Sequence, residues 1–191
     1  MILEKKLMPT YMAAHFYDVT PDFCRAHGIR ALICDIDNTL ATYDDAIMPA
    51  NVEEWLDRLA DEGVSVAFVS NNTPERVRTF VGERNIPAFP DAHKPSRKYF
   101  DSALAALGCD RSAAAVLGDQ LLTDSLAAHR AELVSIIVPP IRDRTGAFFR
   151  FKRAVERPYI KKFLRSPDAP ALSGTVWHKN HDTGKTETEN S

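Results

Sequence analysis

Between residues 30 and 138, apolar positions switch back and forth between two spacings. Short runs rich in Val, Ile, Leu, Phe and Ala predict strands: RALICD (30–35), VSVAFVS (64–70), IPAF (86–89), AAAVLGD (113–119) and ELVSIIV (132–138). Between them apolar residues recur every three or four positions. Val52, Trp55, Leu56 and Leu59 share one face of a helix predicted over 49–61, opened by Pro49 and stopped at Gly63. Thr73-Pro74-Glu75 reads as a cap and first turn leading into Val77, Phe80 and Val81. Two more helices are predicted over 95–107, closed by Gly108, and over 121–130. Strands that alternate with helices of this length imply βαβ crossovers, because parallel neighbours cannot be joined by a tight turn. The predicted fold class is α/β, a single doubly wound parallel sheet covered on both faces.

In such sheets ligands collect at the carboxyl ends of the strands, where helix N-termini also point. Polar residues stand at those ends here. Asp35 ends the first predicted strand, Ser70 the second and Asp119 the fourth, while Lys94 lies in the loop before the third helix. The stretch ALICDIDNTL (31–40) finishes a hydrophobic run with two carboxylates, Asp35 and Asp37. By itself an Asp-x-Asp pair also fits a turn or a cap. At the end of a buried strand, however, like charges bind a cation or share a proton. Hard carboxylate oxygens without a His or Cys cluster favour Mg²⁺, which takes one or two carboxylates and leaves positions for phosphate oxygens.

Composition changes this picture in three ways. With 191 residues, 45% hydrophobic and 26% charged, the chain fits one domain with residues to spare. That domain is expected over 1–165, including a basic helical segment from about 141, and 166–191 is expected to be a disordered tail whose strong apolar feature is Trp177. Net charge is −2, which argues against a general nucleic-acid binder, yet residues 141–165 carry nine Lys or Arg against Asp143 and Glu156. If 147–157 is helical, Phe148, Phe151 and Val155 line one side, flanked by Arg150, Lys152, Arg153 and Arg157, before Pro158 interrupts. That face suits an anionic lipid surface; equally, it suits a last helix packing its Phe residues on the sheet. Three cysteines (Cys24, Cys34, Cys109) without metal-ligand spacing fit reduced thiols, and no stretch reaches the roughly 18 apolar residues of a membrane span. A cytoplasmic protein is expected, with peripheral contact at the inner face of the membrane as one use of the basic segment.

Four segments together resemble the haloacid dehalogenase (HAD) superfamily of aspartyl-phosphate phosphatases. DIDNT (35–39), VSNN (69–72), HKPS (93–96) and GDQLLTD (118–124) match its four motifs in order across residues 30–138. The resemblance implies a Rossmann-like core and a role for each matched residue. Asp35 is the implied nucleophile and Asp37 the acid and base. Asp35, the Asp37 main-chain carbonyl and Asp119 would hold Mg²⁺; Ser70 and Lys94 would bind the phosphoryl oxygens, with Thr39 and Asn71 as supporting donors. Asp124 would orient Lys94 or metal-bound water. Taken singly, Ser70 and Asn71 also read as a strand-end turn, Lys94 as a solvated loop lysine and Asp124 as a helix-start acid. His93 is expected to have no catalytic duty.

HAD enzymes choose substrates with cap domains inserted between these motifs. Only 32 residues separate Asp37 from Ser70, 23 separate Ser70 from Lys94 and 24 separate Lys94 from Asp119. No gap exceeds what the core needs, so the core is expected to be capless and to act on phosphate carried by something large. DIDNTL, GDQLLTD and VPPIRDRTGAFFRFKRAVER narrow the resemblance to YqeG-like subclass IIIA phosphatases, which are similar to phosphatidylglycerophosphate phosphatases. The expected activity is Mg²⁺-dependent hydrolysis of a phosphomonoester such as that lipid. Soluble sugar, nucleotide or phosphoprotein substrates form the alternative, and RNA or ribosome binding through the basic face is the alternative of another class.

Overall fold

The computed structural model describes residues 6–142 and 146–165, except for the side chains of 148 and 149. The expectations for Phe148 and for the tail, Trp177 included, lie outside the described residues. Six parallel strands form one sheet: β1 (Tyr11–Met12), β2 (Ala31–Cys34), β3 (Ser65–Val69), β4 (Ala88–Phe89), β5 (Ala114–Gly118) and β6 (Val134–Ile137). Their spatial order is β1-β6-β5-β2-β3-β4. The α-helices that lie wholly within the described residues are α1 (Pro21–Ala26), α2 (Ala50–Asp61), α3 (Pro74–Val81), α4 (Lys98–Leu107), α5 (Leu126–Arg130) and α6 (Ala147–Arg165).

Strand β2 lies at the centre, and every one of its residues is buried. Because successive side chains point to opposite faces, it feeds two cores at once. Leu32 and Cys34 join Trp55, Leu59, Val77 and Phe80 of α2 and α3. Ala31 and Ile33 join Phe100, Ala103, Ala127 and Ala128 of α4 and α5. The chain leaves β2 toward β3 and β4 on one side, then returns at β5 to build the other. Neighbours β2 and β5 are therefore the point where strand order reverses, and their carboxyl ends carry Asp35 and Asp119.

Local signals account for the helix ends. The Thr73 hydroxyl accepts from the Arg76 N–H at 3.3 Å to cap α3, and Gly108 closes α4 at φ 58°, ψ 35°. Three elements differ from the sequence reading. Helix α4 starts at Lys98 rather than 95, the residues before it forming a turn. The segment read as one helix over 121–130 opens as a π turn, Leu121–Ser125, in which the Ser125 N–H reaches the Gln120 carbonyl at 3.3 Å. Pro158 does not interrupt α6, which runs on to Arg165. The ring deprives only the Ala154 carbonyl of a partner, both residues are exposed so water can serve it, and Phe163 one turn further on is buried against Leu7, Met12 and Ile137.

The segments between the four motifs hold α2 and β3, then α3 and β4, then α4, a short 3₁₀ turn and β5. No inserted cap stands among them. Among the described residues, no helix is long and apolar enough to cross a membrane.

Candidate active site

Asp35 extends β2 by one residue, its N–H bonded to the Leu117 carbonyl of β5 at 2.8 Å, so the carboxylate is delivered by the sheet itself. Lys94 comes from the loop after β4. Its Nζ donates to Asp35 Oδ1 at 2.6 Å and to Asp124 Oδ1 at 2.7 Å, and the lysine side chain is only 4% exposed. Asn71 fixes that loop, its Oδ1 accepting from the Lys94 N–H at 2.7 Å. Thr39 donates to Asp35 Oδ2 at 3.3 Å. The Ser70 hydroxyl accepts from the Asn72 N–H at 3.0 Å, which leaves its proton available to a ligand.

Asp124 is folded back over the end of β5. Its Oδ2 accepts from the Gln120 N–H at 3.1 Å and from Thr123 at 3.2 Å. Gly118 makes room for this: a Cβ there would lie 2.4 Å from Asp124 Cγ. Gly118→Ala is therefore expected to push Asp124 off Lys94, lowering stability by about 1–3 kcal/mol as overpacking does and lowering turnover. Urea denaturation and initial rates on the same preparation check this.

All eight side chains singled out in the sequence converge on this end of the sheet, but they fall into two groups. Asp35, Asp119 and Asp124 each offer an oxygen within 4.8 Å of the others, and all three are buried. Asp37 stands apart from them in its partners: Asn72 Nδ2 donates to one oxygen at 3.0 Å and Arg76 Nη2 to the other at 3.1 Å. Arg76 also donates to the carbonyls of Thr42 and Ala46, tying the 42–46 loop to Asp37. A cleft of about 410 Å³ opens here, lined by Asp35, Asp37, Ser70, Asn71 and Lys94 with Tyr43, Asn72, Gln120, Thr123 and Lys152.

Electrostatics follow from burial. Loss of water pushes the Asp35 carboxyl up to about 7; the Lys94 ammonium works against that rise, while Asp124 and Asp119 add to it. Burial also works against the charge on Lys94, but Asp124 and Asp35 outweigh it and hold the ammonium above the ordinary lysine range. Asp119 is raised by burial and held back by Arg153. Five carboxylates (Asp35, Asp37, Asp119, Asp124, Glu156) face four cations (Lys94, Arg76, Arg153 and, at the cleft wall, Lys152), leaving formally one negative charge. A hard, all-oxygen site with that deficit fits a divalent cation.

Asn72, Arg76, Arg153 and Glu156 were not singled out as site residues in the sequence. Arg76 sits in the first turn of α3, where the helix dipole disfavours a cation, and Glu156 is the lone acid of residues 150–165. Both oddities were visible signals. The proposed basic face of α6 is also different from expected. Lys152 and Arg153 turn inward, to Gln120 Oε1 at 2.6 Å and to Asp119 Oδ2 at 2.5 Å. Phe151 points outward, 66% exposed, while among the described side chains of the helix Phe163 is the buried phenylalanine.

The family model for HAD-hydrolase-like proteins matches residues 92–141, the stretch that brings Lys94, Asp119 and Asp124. A longer match runs to "Probable phosphatase YqeG" of Bacillus subtilis (strain 168), 32% identical over 164 residues, 86% of this chain and 95% of that one. The chain belongs to the YqeG-like phosphatases of the HAD superfamily. It is thus a phosphatase, and its cleft lies at the β2/β5 switch point, where ligands of doubly wound sheets collect. Among solved structures, an uncharacterized protein from Listeria monocytogenes serotype 4b shares the fold, with a TM-score of 0.50 and 21% identity over 62% of this chain and 85% of that chain.

Proposed function

We propose that the enzyme is a Mg²⁺-dependent phosphomonoesterase working through an aspartyl phosphate on Asp35, and that its substrate carries the phosphate on a large or membrane-borne group such as phosphatidylglycerophosphate. The observation that carries the chemistry is the buried Asp35–Lys94–Asp124 relay at the floor of an open cleft. A Mg²⁺ held by Asp35, Asp119 and the Asp37 carbonyl would offset the charge of the phosphoryl oxygens.

The chain's own groups divide the reaction. An Asp35 oxygen bonds to phosphorus as the ester oxygen departs, and Asp37 gives that oxygen its proton. Water then attacks phosphorus, Asp37 takes a proton back, and phosphate leaves with Asp35 restored. Lys94 counters the burial that would otherwise protonate Asp35, and with the Ser70 hydroxyl it binds the phosphoryl oxygens. Arg76 and Asn72 hold Asp37 in place. Arg76→Met should therefore slow alkyl phosphates, whose leaving oxygen needs a proton, more than p-nitrophenyl phosphate, which needs little help. Steady-state rates on the two esters give the comparison, and an equal loss on both would mean that Arg76 does not act through Asp37.

The lipid part of the reading rests on the absent cap, since a large substrate can shield the reacting atoms with its own surface. Phosphate release measured on phosphatidylglycerophosphate in vesicles and on soluble sugar and nucleotide phosphates, with and without Mg²⁺, tests it. Turnover confined to the soluble esters would leave the phosphatase and remove the lipid. Salt-sensitive RNA binding that survives Asp35→Asn would favour the binding-protein alternative, although the inward turn of Lys152 and Arg153 takes two cations from the face it needs.

A further inference from the structure

Helix α6 divides along its length. A stripe of Lys152, Arg153, Glu156, Tyr159, Ile160 and Phe163 recurs at helical spacing and faces the domain, while Arg150, Phe151, Ala154, Arg157, Lys161 and Arg165 are exposed. The second half of the stripe is apolar. Phe163 is buried with Leu7, Met12, Leu121, Leu126 and Ile137, and Tyr159 and Ile160 pack beside it. The first half is charged and closes on the loop that follows β5. Arg153 Nη2 donates to Asp119 Oδ2 at 2.5 Å and Nη1 to the Asp119 main-chain carbonyl at 2.9 Å. Glu156 accepts from Arg153 Nη1 at 3.2 Å through one oxygen and from the Leu122 N–H at 3.0 Å through the other.

A glutamate 1% exposed in a basic helix needs a reason, since a buried carboxylate is costly unless it is paired and hydrogen-bonded. Its position supplies one. Glu156 bonds to the backbone two residues before Asp124 and to the guanidinium that grips Asp119, so it fixes Arg153 relative to the loop carrying both aspartates. Arg153 in turn spans the carboxylate and the carbonyl of one residue, a grip that sets the torsion of a side chain with no exposed surface. A guanidinium fork can hold two acceptors at fixed angles where an ammonium holds a point. Only Oδ2 is taken in this way. Oδ1 keeps a single, longer contact, 3.2 Å from Gln120 Nε2.

We propose that Arg153, braced by Glu156, is a positioning residue: it fixes the Asp119 carboxylate so that Oδ1 is presented to the divalent cation, which makes the docked α6 helix part of the metal site. This rests on the reading of Asp35 and Asp119 as metal-binding. The opposite role, a cation competing with the metal for Asp119, predicts the opposite sign in the test below.

Mg²⁺ binding to the full chain, measured by isothermal titration calorimetry, gives a readout independent of turnover. Arg153→Met is expected to weaken it about 10- to 100-fold, the usual loss when a partner orienting a metal ligand is removed. Arg153→Lys, which keeps the charge but loses the fork, should fall between the two. Because Arg153→Met leaves Glu156 buried without its cation, the pair is also removed together, as Arg153→Met with Glu156→Gln. With helical content unchanged by circular dichroism, this double variant should bind Mg²⁺ as weakly as the single one. Its kcat should return when Mg²⁺ is raised to saturation. Arg157→Gln, on the exposed side of the same helix, should bind like wild type. Unchanged or tighter binding in both Arg153→Met variants would overturn the role of Arg153. Wild-type protein that takes up no Mg²⁺ would instead overturn the metal reading beneath it.

Discussion

Asp35→Asn is expected to lower phosphate release by about 10⁴-fold or more, because the amide cannot attack phosphorus and the remaining groups only bind and polarise. The same change should leave the fold intact and raise the Tm of the metal-free protein at pH 8 by a few degrees. The sign follows from the shift. The folded Asp35 carboxyl sits near 7 while the unfolded one has the ordinary value of 3.8. A group whose folded pKa is raised costs stability as pH climbs from the unfolded value through the folded one. Above that window Asp35 is a buried anion beside Asp124 and Asp119, and asparagine removes it. At pH 5, where the folded protein already holds the proton, the gain should be smaller. Thermal melts in EDTA at the two pH values, beside initial rates with Mg²⁺, provide the check. A Tm gain as large at pH 5 as at pH 8 would mean that burial of the charge is not its cause.

Lys94→Met is expected to be the most damaging single change. It removes the ammonium that serves both Asp35 and Asp124, and breaking a buried pair from one side costs about 3–5 kcal/mol. For a domain of this size that is about 10 °C in Tm. Activity should fall with it, since Asp35 would keep its proton at neutral pH. Pairing the change with Asp124→Asn separates the two effects. The double variant should recover about 2 kcal/mol of the lost stability, as interacting neighbours do, without recovering turnover. Additive losses in urea denaturation would show that Lys94 and Asp124 do not support one another.

Much of this arrangement was legible because strand ends and motifs coincide. β2 and β5 are unbroken buried runs, so their termini could be located, and the termini name Asp35 and Asp119. β1 was not legible, for two residues carry no period, and Tyr11–Met12 is extended only because β6 offers an edge to pair with. The π turn was hidden for a different reason. LLTDS has the spacing of an ordinary helix, and its wider winding accompanies the return of Asp124 over Gly118. Arg153 was hidden by its neighbours. In a run of six cations between 150 and 162, nothing in composition separates the one that reaches Asp119 from those that face water. The isolated Glu156 three positions on was the clue.

The edge strand β1 sets an order of events during synthesis. Tyr11 pairs with Ile136, so β1 has nowhere to dock in this sheet until β6 has emerged. At ribosomal speed that interval is on the order of ten seconds. Throughout it Tyr11 and Met12 must wait unpaired, and the nascent protein is open to a chaperone or to a wrong partner until β6 arrives.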